Sequence, residues 1–154
     1  MKTTKSNLNK TLWADPQELE KDREYYKIDA QGEILGKIAV KTARYLMWKH
    51  KPYYSDAWDA GDFIIIENVE KVKVTGKKMD QKLYRTHSGY KGNMKEITMK
   101  NMMEKDPRRI IKHAVKGMLP KNKLRKKRLK RLKLFVGETD KYDYLSPEEL
   151  NIND

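Results

Sequence analysis

The first place where this sequence could hold a phosphate is a glycine pair followed by lysine, Gly32-Glu33-Ile34-Leu35-Gly36-Lys37-Ile38. A nucleotide-binding P-loop needs four residues between its glycines and a Ser or Thr after the lysine, to reach magnesium. Here three residues separate the glycines and Ile38 follows the lysine, so the segment reads as a strand-to-helix turn. Asp56, Asp59 and Asp62 recur at every third position, but the calcium-loop pattern D-x-[DN]-x-[DN]-G is absent. They read as carboxylates that solvate a loop or cap a strand. His50, His87 and His113 are far apart and form no HExxH pair, and no GxSxG elbow occurs. There is no cysteine, which removes disulfides, thiolate metal sites and thiol nucleophiles. The sequence therefore predicts no catalytic residue, no metal site and no cofactor.

A second kind of chemistry is better represented. Tyr84-Arg85-Thr86-His87-Ser88-Gly89-Tyr90-Lys91-Gly92 interleaves aromatics and cations with glycines that let backbone approach a ligand. Aromatics and arginine stack on unpaired bases, while lysine, serine and backbone N–H groups bind phosphate. The bland alternative is a glycine-rich turn.

Charge supports the first reading. The net charge is +13, and its distribution is more informative than its size. Residues 1–68 carry 11 basic and 11 acidic side chains. Residues 69–107 carry 10 basic and 5 acidic ones. Residues 108–133 carry 13 basic and none acidic, whereas residues 134–154 carry 1 basic and 6 acidic. A short charge run is usually a solvated face, but an uncompensated block repels itself and typically serves as an interaction segment. The candidate RNA-binding residues are accordingly Arg108, Arg109, Lys112, Lys116, Lys121, Lys123, Arg125, Lys126, Lys127, Arg128, Lys130, Arg131 and Lys133 of the block. To these are added Tyr84, Arg85, His87, Ser88, Tyr90, Lys91 and Lys95 of the loop, with Lys77 and Lys78 ahead of it. Lys37, Lys41, Arg44, Lys49 and Lys51 complete the set.

The elements that must position these residues follow from periodicity. Tyr25 to Asp29 reads as a strand, with a turn at Gly32. From Leu35 to His50 the pattern is helical: Leu35, Ile38, Ala39, Thr42, Ala43 and Leu46 share one face, and Pro52 ends it. Phe63-Ile64-Ile65-Ile66 is a continuous apolar run, which suits a strand covered on both faces and is far short of the roughly 20 residues of a membrane span. Val69 to Val74, Leu83 to Thr86 and Lys133 to Val136 read as further strands. Thr98 caps a short helix through Lys105, and Asp106-Pro107 starts another with Ile110, Ile111, Ala114 and Val115 buried and Gly117 as its end. Lys121 to Leu132 continues as a very basic helix. His113 reads as structural.

The alternation predicts an α/β fold: a three-layer α/β/α domain with a small, mainly parallel sheet of about four strands, a basic helical extension and flexible termini. One domain spans 25–137, behind an N-terminal extension (1–24) and ahead of an acidic C-terminal tail (138–154).

Several stretches resemble the universal large-subunit ribosomal protein thirteen family in its bacterial form. They are Asp29-Ala30 with Gly32 and Leu35-Gly36; Gly61-Asp62 with Ile64-Ile65; Val74-Thr75-Gly76-Lys77; and His87-Ser88-Gly89-Tyr90 with Gly92. The most specific are Ala114-Val115-Lys116-Gly117-Met118-Leu119-Pro120-Lys121-Asn122 and Leu129-Lys130-Arg131-Leu132-Lys133. They stand in the family's order from about Tyr25 to Gly137. The resemblance implies an α/β/α domain that binds large-subunit ribosomal RNA early in assembly, beside neighbouring large-subunit proteins. It also implies no enzymatic activity, no small-molecule substrate and no membrane. The implied location is the cytoplasmic ribosome, although an organelle ribosome would suit the same residues. Two departures stand out: the first 24 residues are longer than the family's start, and Glu138-Thr139-Asp140-Lys141-Tyr142 replaces the usual His and Pro after Gly137. The rival readings are a non-specific binder of nucleic acid or anionic membrane, and a small α/β enzyme acting on a phosphorylated substrate.

Overall fold

A computed structural model describes residues 20–52 and 54–152. Strand β1 (Tyr25–Asp29) alternates, with Tyr26 and Ile28 buried. Strand β2 (Phe63–Glu67) is buried from Ile64 onward, as a run covered on both faces must be. Strands β3 (Leu83–His87) and β4 (Met94–Thr98) form a separate antiparallel hairpin. Strand β5 (Leu132–Leu134) and the two-residue β6 (Glu148–Glu149) complete the set. The main sheet has four strands in the order β5-β2-β1-β6, and every pairing is parallel. Ile64 lies in register with Tyr26 on one side and Leu132 on the other. The α/β class and the mainly parallel sheet of about four strands expected from the sequence are present.

Helix α1 (Leu35–Leu46) buries Ile38, Ala39, Thr42, Ala43 and Leu46, the stripe that the spacing predicts. It ends four residues before His50. Trp48 adopts φ 68°, the N–H of Lys49 donates to Arg44 O and that of Trp48 donates to Tyr45 O. That is a Schellman ending with tryptophan where glycine is usual, and the ring is held by burial against Ala60 and Trp58. Helix α2 (Lys78–Gln81) is one turn long, and α3 (Met99–Lys105) is capped by Thr98 as expected, its hydroxyl accepting from Asn101 N. Helix α4 (Pro107–Met118) buries Ile111 and Val115 against α1 and the sheet core, and Ile110 against Met99 and Met102 of α3. Helix α5 (Leu124–Lys130) leads directly into β5.

Four expectations need correction. Val69–Lys71 is a turn of 3-10 helix rather than a strand, because Asn68 at φ 51° turns the chain out of β2. Leu83 to Thr86 is a strand, but it pairs with β4 in the hairpin and not with the main sheet. Gly117 does not end α4 in a left-handed cap: the helix runs on to Met118, and Leu119 turns extended before Pro120. Within the acidic tail, expected as a flexible terminus, residues 148–149 pair with β1, and Leu150 and Ile152 pack on the core. Residues 1–19, most of the expected N-terminal extension, lie outside the described residues.

Candidate nucleic-acid interface

The rejected phosphate loop is closed by the fold itself. Gly32 (φ 76°) turns the chain, Leu35 N donates to Lys73 O, and Lys73 N donates to Glu33 O. The first amide of α1, that of Leu35, is therefore already engaged.

The spaced aspartates separate. Asp56 accepts from the Tyr54 hydroxyl. Asp59 accepts both terminal nitrogens of Arg131, at 2.7 and 2.6 Å. Asp62 is fully buried beside His50 (3.2 Å), Lys51 (3.4 Å) and the backbone N–H of Glu24 (3.1 Å). Glu24, His50 and Asp62 have potential metal-ligand atoms within 4.8 Å of one another. The Lys51 ammonium already stands 2.9 Å from Glu24, so this cluster has its own cation. Burial holds the Asp62 carboxyl above the usual carboxylate range and His50 below the usual histidine range, so the imidazole is neutral at pH 7.

The basic block divides by depth. Lys112, Lys116, Lys121, Lys123, Lys126, Lys127 and Lys130 are exposed, and none meets an acidic side chain among the described residues. Arg108 donates to Asp106 at 2.9 Å, Arg109 stands 3.9 Å from the same carboxylate, and the half-buried Arg125 donates to Pro120 O. Lys133 is half-buried on β5, in register with Ile65. Two of the predicted residues lie buried rather than on the surface. The Arg131 side chain is 6% exposed and committed to Asp59 and to Leu46 O. Arg128 is 1% exposed, 3.8 Å from Asp59, with no hydrogen bond to its guanidinium. Neither faces solvent, because both lie on the side of α5 that packs on the domain.

The hairpin projects its loop. Tyr90 is 77% exposed, and His87 Nδ1 accepts from Gly89 N. Gly89 and Gly92 take φ 93° and 71°, which only glycine adopts freely. Ser88, Lys91 and Lys95 are exposed, and Arg85 is paired with Glu96 at 2.6 Å. Tyr84 is half-buried, its ring 5.5 Å from that of His113. Lys77 and Lys78 are exposed at α2, the latter bonded to Thr75 Oγ1.

The predicted residues of α1 form a second region. Lys37, Lys41 and Arg44 border a shallow depression with His50. Lys41 donates to Asn151 O in the tail, Lys49 lies over the Tyr54 ring, and Lys51 is bound to Glu24 and Asp62. Lys51 is thus a structural cation rather than a free one. His113 was read from the sequence as structural, and the structure places it beside the predicted cations. It lies exposed on α4 in one stripe with Arg109, Lys112 and Lys116, a spacing of i, i+3, i+4 and i+7 that could have revealed it. Burial and those cations lower its affinity for a proton.

Among the described residues the α/β platform carries a lysine surface without acidic partners, the kind of surface that suits a polyanion. The family model for ribosomal protein L13 matches residues 23–141, and the chain belongs to that family. It is 47% identical over 129 residues to the large ribosomal subunit protein uL13 of Clostridioides difficile, covering 84% of this chain and 90% of that one. The Thermotoga petrophila protein of the same name is 45% identical over 145 residues, 94% of this chain and 96% of its own. That of Rippkaea orientalis is 47% identical over 146 residues, 95% of each chain. Members of the family are structural rather than enzymatic, which removes the small-enzyme reading.

Proposed function

We propose that this protein is a structural constituent of the large subunit of the cytoplasmic ribosome and binds large-subunit ribosomal RNA during assembly. The supporting observation is the exposed lysine surface of α4, α5 and residues 119–123, without acidic partners among the described residues. Like charges at that density weaken the free protein, and RNA phosphates relieve the repulsion. Most contacts go to phosphate and sugar, and fix position without reading sequence. Specificity comes from the shape of the folded RNA and a few stacked bases, with Tyr90 the most exposed aromatic of the hairpin. The predicted cations other than Arg128, Arg131 and Lys51 carry this role. Residues 25–137, with residues 148–152 that pair with β1 and pack on the core, act as one RNA-binding domain, and the acidic stretch from Glu138 repels phosphate and faces neighbouring large-subunit proteins.

The test is competition. Protein is titrated against folded large-subunit ribosomal RNA at near-physiological salt with excess unrelated structured RNA. Saturable binding that survives the competitor is expected. Binding abolished by the competitor would leave a non-specific polycation instead.

A further inference from the structure

Beside the exposed lysines lies a cleft that a phosphate-binding surface alone does not explain. Its volume is about 590 Å³, within the ~300–1,000 Å³ of pockets that hold one small ligand. One wall is the cationic stripe of α4: Arg109, Lys112 and Lys116. The rest of the lining includes an apolar set, with Leu129, Leu132 and Leu134 at the junction of α5 and β5 and Met102 of α3. Thr86 of the hairpin also lines it. The only carboxylate lining it, Asp106, is already engaged by Arg108.

Two features narrow the occupant. Arg109 to Lys116 spans about 10 Å of helix axis, longer than one phosphate group, which suits a chain of nucleotides rather than a lone anion. The apolar set suits a flat, uncharged surface. A base paired within an A-form helix cannot present one, because its faces are stacked and its major-groove edge lies in a deep, narrow groove. An unpaired nucleotide satisfies both sets at once.

We propose that this cleft receives a single unpaired nucleotide of the bound RNA, its base against Met102, Leu129 and Leu134 and its flanking phosphates on Arg109, Lys112 and Lys116. The proposal rests on the ribosomal-RNA reading above and adds a site to it. His113, on the same stripe, also lines the cleft and offers a ring that can stack beside the base.

The test uses the full chain and a folded large-subunit ribosomal RNA transcript, probed with dimethyl sulfate, and a fully paired RNA duplex as control. Lys112→Ala/Lys116→Ala is compared with wild type and with Lys126→Ala/Lys127→Ala. Loss of a held base should weaken binding of the folded RNA about tenfold. One or two unpaired bases protected by wild type should regain reactivity with the cleft variant only. On the duplex the two double variants should lose affinity equally. Both should unfold at the wild-type temperature, since all four lysines are exposed. Wild-type binding with the same bases protected by the cleft variant overturns the cleft and leaves the ribosomal-RNA reading standing. So does an equal loss on both RNAs with no base exposed. If wild type neither binds the folded RNA nor protects any base, both readings fall.

Discussion

Helix α5 and the start of β5 carry two populations of cations that the sequence alone does not separate. Lys126, Lys127 and Lys130 stand in solvent without acidic partners among the described residues, whereas Arg128 and Arg131 are buried within the same few residues. The buried pair converges on Asp59, itself only 13% exposed and some seventy residues earlier. The chemistry of each type matches its place. A planar guanidinium makes the bidentate pair that Arg131 forms with Asp59, while lysine is a compact, strongly hydrated charge. A run of like charge is thus two devices. One locks α5 onto the domain, and the other displays charge to a partner. On the RNA-binding role proposed above, the lock gives the display its rigidity, so the lysines would meet RNA without first being ordered.

Removing the acid should break the lock. Asp59→Ala leaves two buried guanidinium groups without a carboxylate. Breaking a buried pair in this way costs about 3–5 kcal/mol. For a chain of this size that corresponds to a fall of roughly 10 °C in the unfolding midpoint. Differential scanning calorimetry is the direct check, and an unchanged midpoint would show that Asp59 is not the counter-ion that matters. Gly61 sits beside this lock for a related reason. A Cβ there would lie 1.9 Å from Leu46 O and 2.9 Å from the Arg131 guanidinium.

Removing the display should do the opposite. Lys126→Ala/Lys127→Ala/Lys130→Ala should leave thermal stability within about 1 kcal/mol of wild type, because all three lysines are exposed and exposed substitutions away from special features cost little. RNA affinity should instead lose salt dependence. Each phosphate contact contributes about 0.7–0.9 to the log–log slope, so three contacts correspond to a drop of roughly 2 to 3 units. Arg128, adjacent in sequence, is left out because its side chain is 1% exposed. Titrations at several salt concentrations settle the matter: a slope equal to wild type would place the RNA face elsewhere.

How much of this was legible in the sequence depended on whether the signal was local. Helix α1 and β2 were, because an apolar stripe and an apolar run each state their own burial. The lysine display was legible as charge. The lock was only half legible. Leu124, Arg128, Arg131 and Leu132 share one face at i, i+4, i+7 and i+8, so helical phase could have marked the two arginines as inward. Their partner could not be read, because Asp59 reaches them only once β2 and β5 pair. Strand β6 left no signal at all. Glu148 and Glu149 are both exposed and join the sheet through backbone bonds to β1, for which residue type matters little. Strand β4 was hidden in the same way, since Met94, Lys95 and Glu96 are exposed and it pairs only with β3.

Gly117 sharpens the comparison at its smallest scale, because it lies between the two basic helices and yet belongs to neither device. The sequence suggested a left-handed cap, at which any side chain would be strained. The structure places Gly117 in the last turn of α4 without a positive φ, and a Cβ built there meets nothing within 4 Å. Glycine within a helix costs about 0.5–1 kcal/mol relative to alanine, chiefly through backbone entropy. Gly117→Ala should therefore stabilise the free protein by about that amount, read as a small rise in the unfolding midpoint. The opposite sign would restore the cap. If the variant is stabilised but binds RNA more weakly, the missing side chain serves the close approach of RNA to the backbone between α4 and α5, and not the fold.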